Sequence, residues 1–97
     1  MPIYMDRHDT KHVSAREVAD AHQKDLEIQD KHGCRAITYW VDEERGAVFC
    51  LIDATQKQAV INMHKESHGD IPSKIIEVDP EAVNAFLGRV EDLPMPI

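Results

Sequence analysis

The chain has 97 residues, with 11 Lys and Arg against 18 Asp and Glu for a formal charge of −7, and 42% apolar against 30% charged residues. That is the balance of one ordinary soluble domain, and it excludes a disordered or fibrous chain. The basic residues are scattered singly, which excludes the cationic patch that nucleic-acid phosphates need. No apolar run approaches the roughly 20 residues of a membrane span.

Residues 2–8 alternate Ile3, Met5 and Arg7 against Tyr4, Asp6 and His8, a period of two that predicts a first strand. Ser14-Ala15-Arg16-Glu17 has the S-x-x-E spacing of a capping box, so a helix is expected over 15–31 with Gly33 as its stop. Its apolar stripe runs Ala15, Ala19, His22 and Leu26, with Val18 and Ala21 beside it, which places His22 at the buried face. Residues 34–42 and 47–53, rich in β-branched and aromatic side chains, flank Glu43-Glu44-Arg45-Gly46 and predict a hairpin. Pairing Asp42 with Ala47 sets Tyr39 opposite Cys50 and Cys34 opposite Thr55, so the two cysteines do not meet. This register groups Ile37, Tyr39, Val41, Val48, Cys50 and Ile52 on one face and Ala36, Thr38, Trp40, Phe49 and Leu51 on the other.

Thr55-Gln56-Lys57-Gln58 repeats the capping spacing ahead of a second helix over 56–68, with Ala59, Val60, Met63 and Ser67 inward. A fourth strand is expected over 73–79. Asp79-Pro80-Glu81 then opens a third helix with Val83, Phe86, Leu87 and Val90 on one stripe, and 91–97 form a tail. The order is βαββαβ with an added C-terminal helix, an α+β, ferredoxin-like arrangement with strand order four-one-three-two. Residues 1–79 are its ferredoxin-like domain and 80–97 the C-terminal helix and tail of the same single domain. Both sheet faces are apolar and a domain of this size buries only about 65% of its extended-chain surface, so a second subunit is the expected cover for one face. Asp6 and His8 are expected on that covered face.

Six histidines in so short a chain are the sequence's most unusual feature. His64 and His68 stand four apart, about 6 Å on one helix face, a spacing that can chelate a divalent ion or simply end a helix in cationic, solvated rings. Lys65 occupies the place of the zincin glutamate, which excludes that protease chemistry. The topology brings His8, His12, His64 and His68 to one end with Asp9, Asp42, Glu43, Glu44, Glu66 and Asp70. Asp6 and His8 suit either metal ligation or a base with its orienting partner. His32 reads as a surface residue, and Cys50 as a small core hydrophobe with nothing near it in sequence to lower its pKa. Two cysteines without a CxxC knuckle, and an N-terminus without a signal-peptide core, fit a reducing, cytoplasmic setting. Nitrogen and oxygen donors favour nickel, zinc, copper or cobalt over iron–sulfur.

Taken together, Pro2-Ile3-Tyr4-Met5-Asp6-Arg7-His8, Ala21-His22 with Asp25-Leu26-Glu27, Ile37-Thr38-Tyr39-Trp40, Phe49-Cys50-Leu51 with Asp53-Ala54, and His64 and His68-Gly69 resemble a family of small bacterial proteins, long labelled as of unknown function, that includes nickel-binding members. The resemblance covers residues 2–79. It implies a ferredoxin-like subunit, a homodimer of the dimeric α/β-barrel kind, and surface nickel sites serving storage or sequestration. On matching positions it implies His8, His22, His64 and His68 as metal ligands, with Asp6 as their neighbour. Residues 80–97 are an addition to the family's compact pattern. Two functions are therefore carried forward. One is a non-catalytic binding protein for nickel or a similar divalent metal, with affinity falling below roughly pH 6 as histidine protonates. The other is a small dimeric α/β-barrel enzyme, an isomerase or cofactor-less monooxygenase, with a pocket around Asp6, His8 and His22 beside Tyr39 or Trp40. Exposed, convergent His64 and His68 would favour the first, and an enclosed apolar pocket around His22 the second.

Overall fold

Local chemistry sets the element boundaries in the computed structural model, which describes residues 1–87. Strand β1 (Ile3–Asp9) leads to Ser14, whose hydroxyl accepts the Glu17 amide at 3.1 Å and so caps helix α1 (Ala15–Ile28). Glu43 adds a second cap from the hairpin tip, accepting the Ala15 amide at 2.5 Å. The helix ends sooner than predicted, tightening into a 3-10 turn (Gln29–His32) before Gly33 at φ +67°. The Gln29 side chain is buried there and accepts the Ala36 amide at 2.9 Å, which ties the turn to strand β2 (Cys34–Asp42).

Strand β3 (Ala47–Ala54) closes the predicted hairpin, followed by α2 (Lys57–Ser67), β4 (Lys74–Val78) and α3 (Pro80–Leu87). Gln56, not Thr55, holds the cap position of α2, and it makes no side-chain cap bond. At α3 the Asp79 carboxylate accepts the Glu81 amide at 2.9 Å, as the cap-proline-acid run requires. The expected stripe residue Val90 and the tail 91–97 lie outside the described residues, as do the side chains of Phe86 and Leu87.

The four strands form one antiparallel sheet in the order β2-β3-β1-β4, the ferredoxin-like arrangement. Helices α1 and α2 cover one face, where Val18, Ala59, Val60 and Met63 pack on Tyr4, Val48, Cys50, Ile52, Ala54 and Ile75. Asp6 and His8 share the strand parity of Tyr4, so they lie beneath the protein's own helices. That corrects the expectation that a second subunit covers them. Alternation fixes which residues share a face, and not which face the helices choose.

The hairpin register holds from Thr38–Leu51 to Asp42–Ala47, and then shifts at a β-bulge between Ala36 and Thr38. Cys34 therefore faces Ala54, not Thr55, and Ile37 turns from the predicted face to the outer one. The outer face has its own cluster, Ile3 and Leu51 with Met5, Ile37, Val78 and Val83, the last contributed by α3. Trp40 and Ile76 remain 49% and 40% exposed. Among the described residues no helix is long and apolar enough to cross a membrane.

Candidate metal centre

Asp6, Asp25 and His64, three side chains from β1, α1 and α2, meet in the interior between sheet and helices. His64 is 1% exposed and sits between two carboxylates: its Nε2 is 2.7 Å from Asp6 Oδ2 and its Nδ1 is 3.2 Å from Asp25 Oδ1. Burial acts to lower its pKa, but the two aspartates outweigh that and raise it to about 9. His64 is therefore an imidazolium at neutral pH, with both ring nitrogens donating. Burial alone would raise the Asp25 and Asp6 carboxyls. The bonds from His64 reverse this, helped at Asp25 by His68 and Ser67 and at Asp6 by His8, and both carboxyls lie below their ordinary range.

Asp25 Oδ1 also accepts the Ser67 hydroxyl and stands 3.2 Å from His68 Nε2. His68 Nδ1 accepts the Asp70 amide at 3.0 Å, which leaves the proton of the neutral ring on Nε2, facing Asp25. The His64 Nδ1 to His68 Nε2 distance is again 3.2 Å. Three ligand-type atoms thus mark a triangle with equal sides. Ligands about 2.1 Å from one ion stand about 3.0 Å apart at an octahedral edge and about 3.4 Å at a tetrahedral one, so these residues fit a divalent transition ion.

On the far side of His64, Asp6, His8 and Cys50 form a second group with it. His8 is buried, its Nε2 3.2 Å from Asp6 Oδ1 and its Nδ1 3.6 Å from Asp70 Oδ2. Burial first, then the Asp6 carboxylate, push the Cys50 thiol well above its ordinary pKa. The two groups border a cavity of about 220 Å³ that is also lined by His12, His22, Val18 and Tyr39. The His22 ring lies on Tyr39 with centroids 4.5 Å apart, and burial lowers its pKa against a smaller opposing effect of Asp25.

Of the five residues singled out from sequence, the structure brings Asp6, His8, His64 and His68 together, while His22 faces the same cavity from outside both ligand groups. His64 is not a solvated helix end but among the most buried side chains. Of the other acids gathered at that end, Asp70 stays beside His8, whereas Asp9 pairs with Arg7 at 2.8 Å, Asp42 with Arg45 at 2.9 Å, Glu43 caps α1, and Glu66 pairs with Lys31 and His32 at 2.5 and 2.8 Å. The sequence reading missed Asp25. Its signal was a carboxylate three positions after His22 and seven after buried Val18, on the inward side of α1.

A ferredoxin-like domain with a buried histidine–aspartate cluster of metal-ligand spacing defines the class of protein. Within it, the chain belongs to the SCO4226-like family of nickel responsive proteins, whose model matches residues 4–78 and leaves α3 outside. Among solved structures the chain is similar to SCO4226 from Streptomyces coelicolor A3(2), at 27% identity and a TM-score of 0.74, over 78% of this chain and 94% of that one. No curated protein matches the chain.

Proposed function

We propose that the protein is a cytoplasmic, non-catalytic binding protein for a divalent transition ion, nickel by family, held by Asp25, His64 and His68 in storage or sequestration. One observation carries this reading: two imidazole nitrogens and a carboxylate oxygen at mutual distances of 3.2 Å. His64 gives up its Nδ1 proton on ligation, while Nε2–H keeps its bond to Asp6, which fixes the tautomer and raises the ring's basicity. Two buried carboxylates then balance the two charges of the ion, where they now face one imidazolium. Ligation through His68 Nε2 moves that ring's remaining proton to Nδ1, so the Asp70 amide has to release it. Gly69, at φ +82° with open space around it, lets the turn give way.

The raised His64 pKa moves the expected pH window. Loss of affinity begins below about pH 9, where His64 takes up its proton, and not only below about pH 6. We further propose a homodimer in which a second copy covers the outer sheet face, where Trp40 and Ile76 are exposed.

The test is calorimetric titration of metal-stripped, tag-free protein with Ni²⁺, Zn²⁺ and Cu²⁺, beside Asp25→Asn and a His64→Ala/His68→Ala variant. Micromolar or tighter binding that both variants lose is expected, and no binding of any ion would refute the reading. The cavity beside His22 and Tyr39 favours a second reading, the small dimeric α/β-barrel enzyme, in which Asp6 and His8 act on a molecule in that cavity with His22 opposite. A failed metal titration would turn the search to small molecules there.

A further inference from the structure

The cavity beside His22 and Tyr39 holds a pair of acceptors with no donor between them. His8 is 4% exposed, and its Nε2 lies 3.2 Å from Asp6 Oδ1. A carboxylate oxygen can only accept, so Nε2 carries the proton of the neutral ring and Nδ1 presents a lone pair. That Nδ1 is buried and has no hydrogen-bond partner among the described residues. Asp70 Oδ2 faces it at 3.6 Å, too far for a hydrogen bond and itself an acceptor. Both residues line the cavity, and the Asp70 side chain is 55% exposed, which puts the pair where the interior meets solvent. Buried acceptors are ordinarily answered, so this one points to a donor that the chain does not supply.

The rest of the cavity limits what that donor is. Its wall is apolar where Val13, Val18, Ala21, Val48 and the Tyr39 ring meet, and its acids are Glu17, Asp25 and Asp70, with no Lys or Arg among the lining residues. The His64 imidazolium already faces Asp6 and Asp25, which leaves the negative charge of Glu17 and Asp70, both exposed, at the open side. The volume of about 220 Å³ exceeds the roughly 150 Å³ in which an apolar cavity holds benzene, so a ring with a short chain fits. We infer that this cavity binds a small primary amine as its ammonium ion, the nitrogen donating to His8 Nδ1 and Asp70 Oδ2 and an apolar body resting on Val18, Val48 and Tyr39. One nitrogen about 2.9 Å from each acceptor closes a triangle on the 3.6 Å base, and an ammonium has three protons, so one group makes both bonds. A hydroxyl has a single proton and answers one acceptor, and an anion would meet two exposed carboxylates. The chain's charge of −7 also draws a cation. The amine needs neither an ion at the Asp25–His68 position nor catalysis, so it stands apart from the function proposed above.

The test is titration of metal-stripped, tag-free protein with phenethylamine, followed by backbone amide shifts in heteronuclear NMR spectra. Phenethyl alcohol and phenylacetate are titrated beside it, since they keep the ring and replace the ammonium with a hydroxyl or a carboxylate. Saturable binding of the amine in the millimolar range or tighter is expected, with shifts centred on Val18, Tyr39 and Val48, the alcohol about tenfold weaker and the acid not bound. Asp70→Asn should weaken the amine about tenfold, and Ala21→Phe, which fills the cavity, should abolish its binding. Asp70 is exposed and Ala21 only half-buried, so both variants should keep the fold, and the three wild-type titrations decide the matter even if one does not. No saturable binding of the amine overturns the inference. So does an alcohol or acid that binds as well as the amine, or amine binding that survives unchanged in either variant. No metal is present in these titrations, so their failure leaves the proposed ion position standing.

Discussion

Raising the pH should strip the metal-free protein of most of the stability that its buried ion cluster contributes. His64 titrates at about 9 when folded against 6.5 when unfolded, and each pKa unit is worth about 1.36 kcal/mol, so its proton contributes about 3 kcal/mol. The side chain is almost wholly buried, so solvent screening discounts this little. A folded pKa above the unfolded one means that the contribution is complete below pH 6.5 and is lost as the pH rises to about 9. On the acid side, Asp6 and Asp25 titrate below 3.8 when folded, so their contribution is present above that value and is lost as the pH falls below it through their lower folded pKa values. It is the same interaction seen from the carboxylates and is not to be added. His22, whose folded pKa is lowered, costs stability as the pH falls below 6.5, so the optimum lies near pH 6. Urea unfolding with a chelator present, at pH 6, 7.5 and 9, should show the midpoint falling by roughly 2 M across the series. By pH 9 the two thiols, held neutral by burial in the folded chain but about half ionised once unfolded, each remove only about 0.4 kcal/mol, so most of the fall is still that of His64. Asp25→Asn should begin less stable and decline less, because only Asp6 then holds the proton. A wild-type midpoint that does not move between pH 6 and 9 would refute the assignment of His64 as a buried cation.

Metal affinity should run the other way, rising about tenfold per unit between pH 6.5 and 8 with release of one proton, His64's, at the Asp25–His68 position, and a pH-independent affinity in that range would count against His64 as a ligand. At the hairpin tip, an added Cβ on Gly46 (φ +67°) would collide with the Thr10 carbonyl oxygen, whereas Gly69 (φ +82°) has room; chemical denaturation should find Gly46→Ala at least about 1 kcal/mol more costly than Gly69→Ala. Similar losses would show that the tip yields, despite the Thr10 amide bond to the Gly46 carbonyl at 2.7 Å. Trp40→Lys should convert a sedimenting dimer to monomer while leaving the histidine cluster able to bind its ion, and a variant that still sediments as a dimer would place the interface elsewhere.

The element order and strand order were legible because each rests on local patterns: alternation for the strands, the Ser14–Glu17 box for α1 and Asp79-Pro80 for α3. The bulge at Ile37 was not, because both sheet faces are apolar and slipping one residue leaves the alternation looking the same. The site divides along the same line. His64 and His68 could be paired from sequence because four residues on a helix is a local distance, and His8 joined them through topology. Asp25 could not, since a charged residue on a helix reads as solvated unless its partner is known, and that partner is 39 positions away. The burial of Asp25 and that of His64 are one physical fact. A lone buried carboxylate would be protonated and a lone buried imidazole neutral, and each keeps its charge only because the other is there. Sequence patterns that score residues one at a time place both on the surface. Their pairing is what makes the interior of so small a domain able to carry charge.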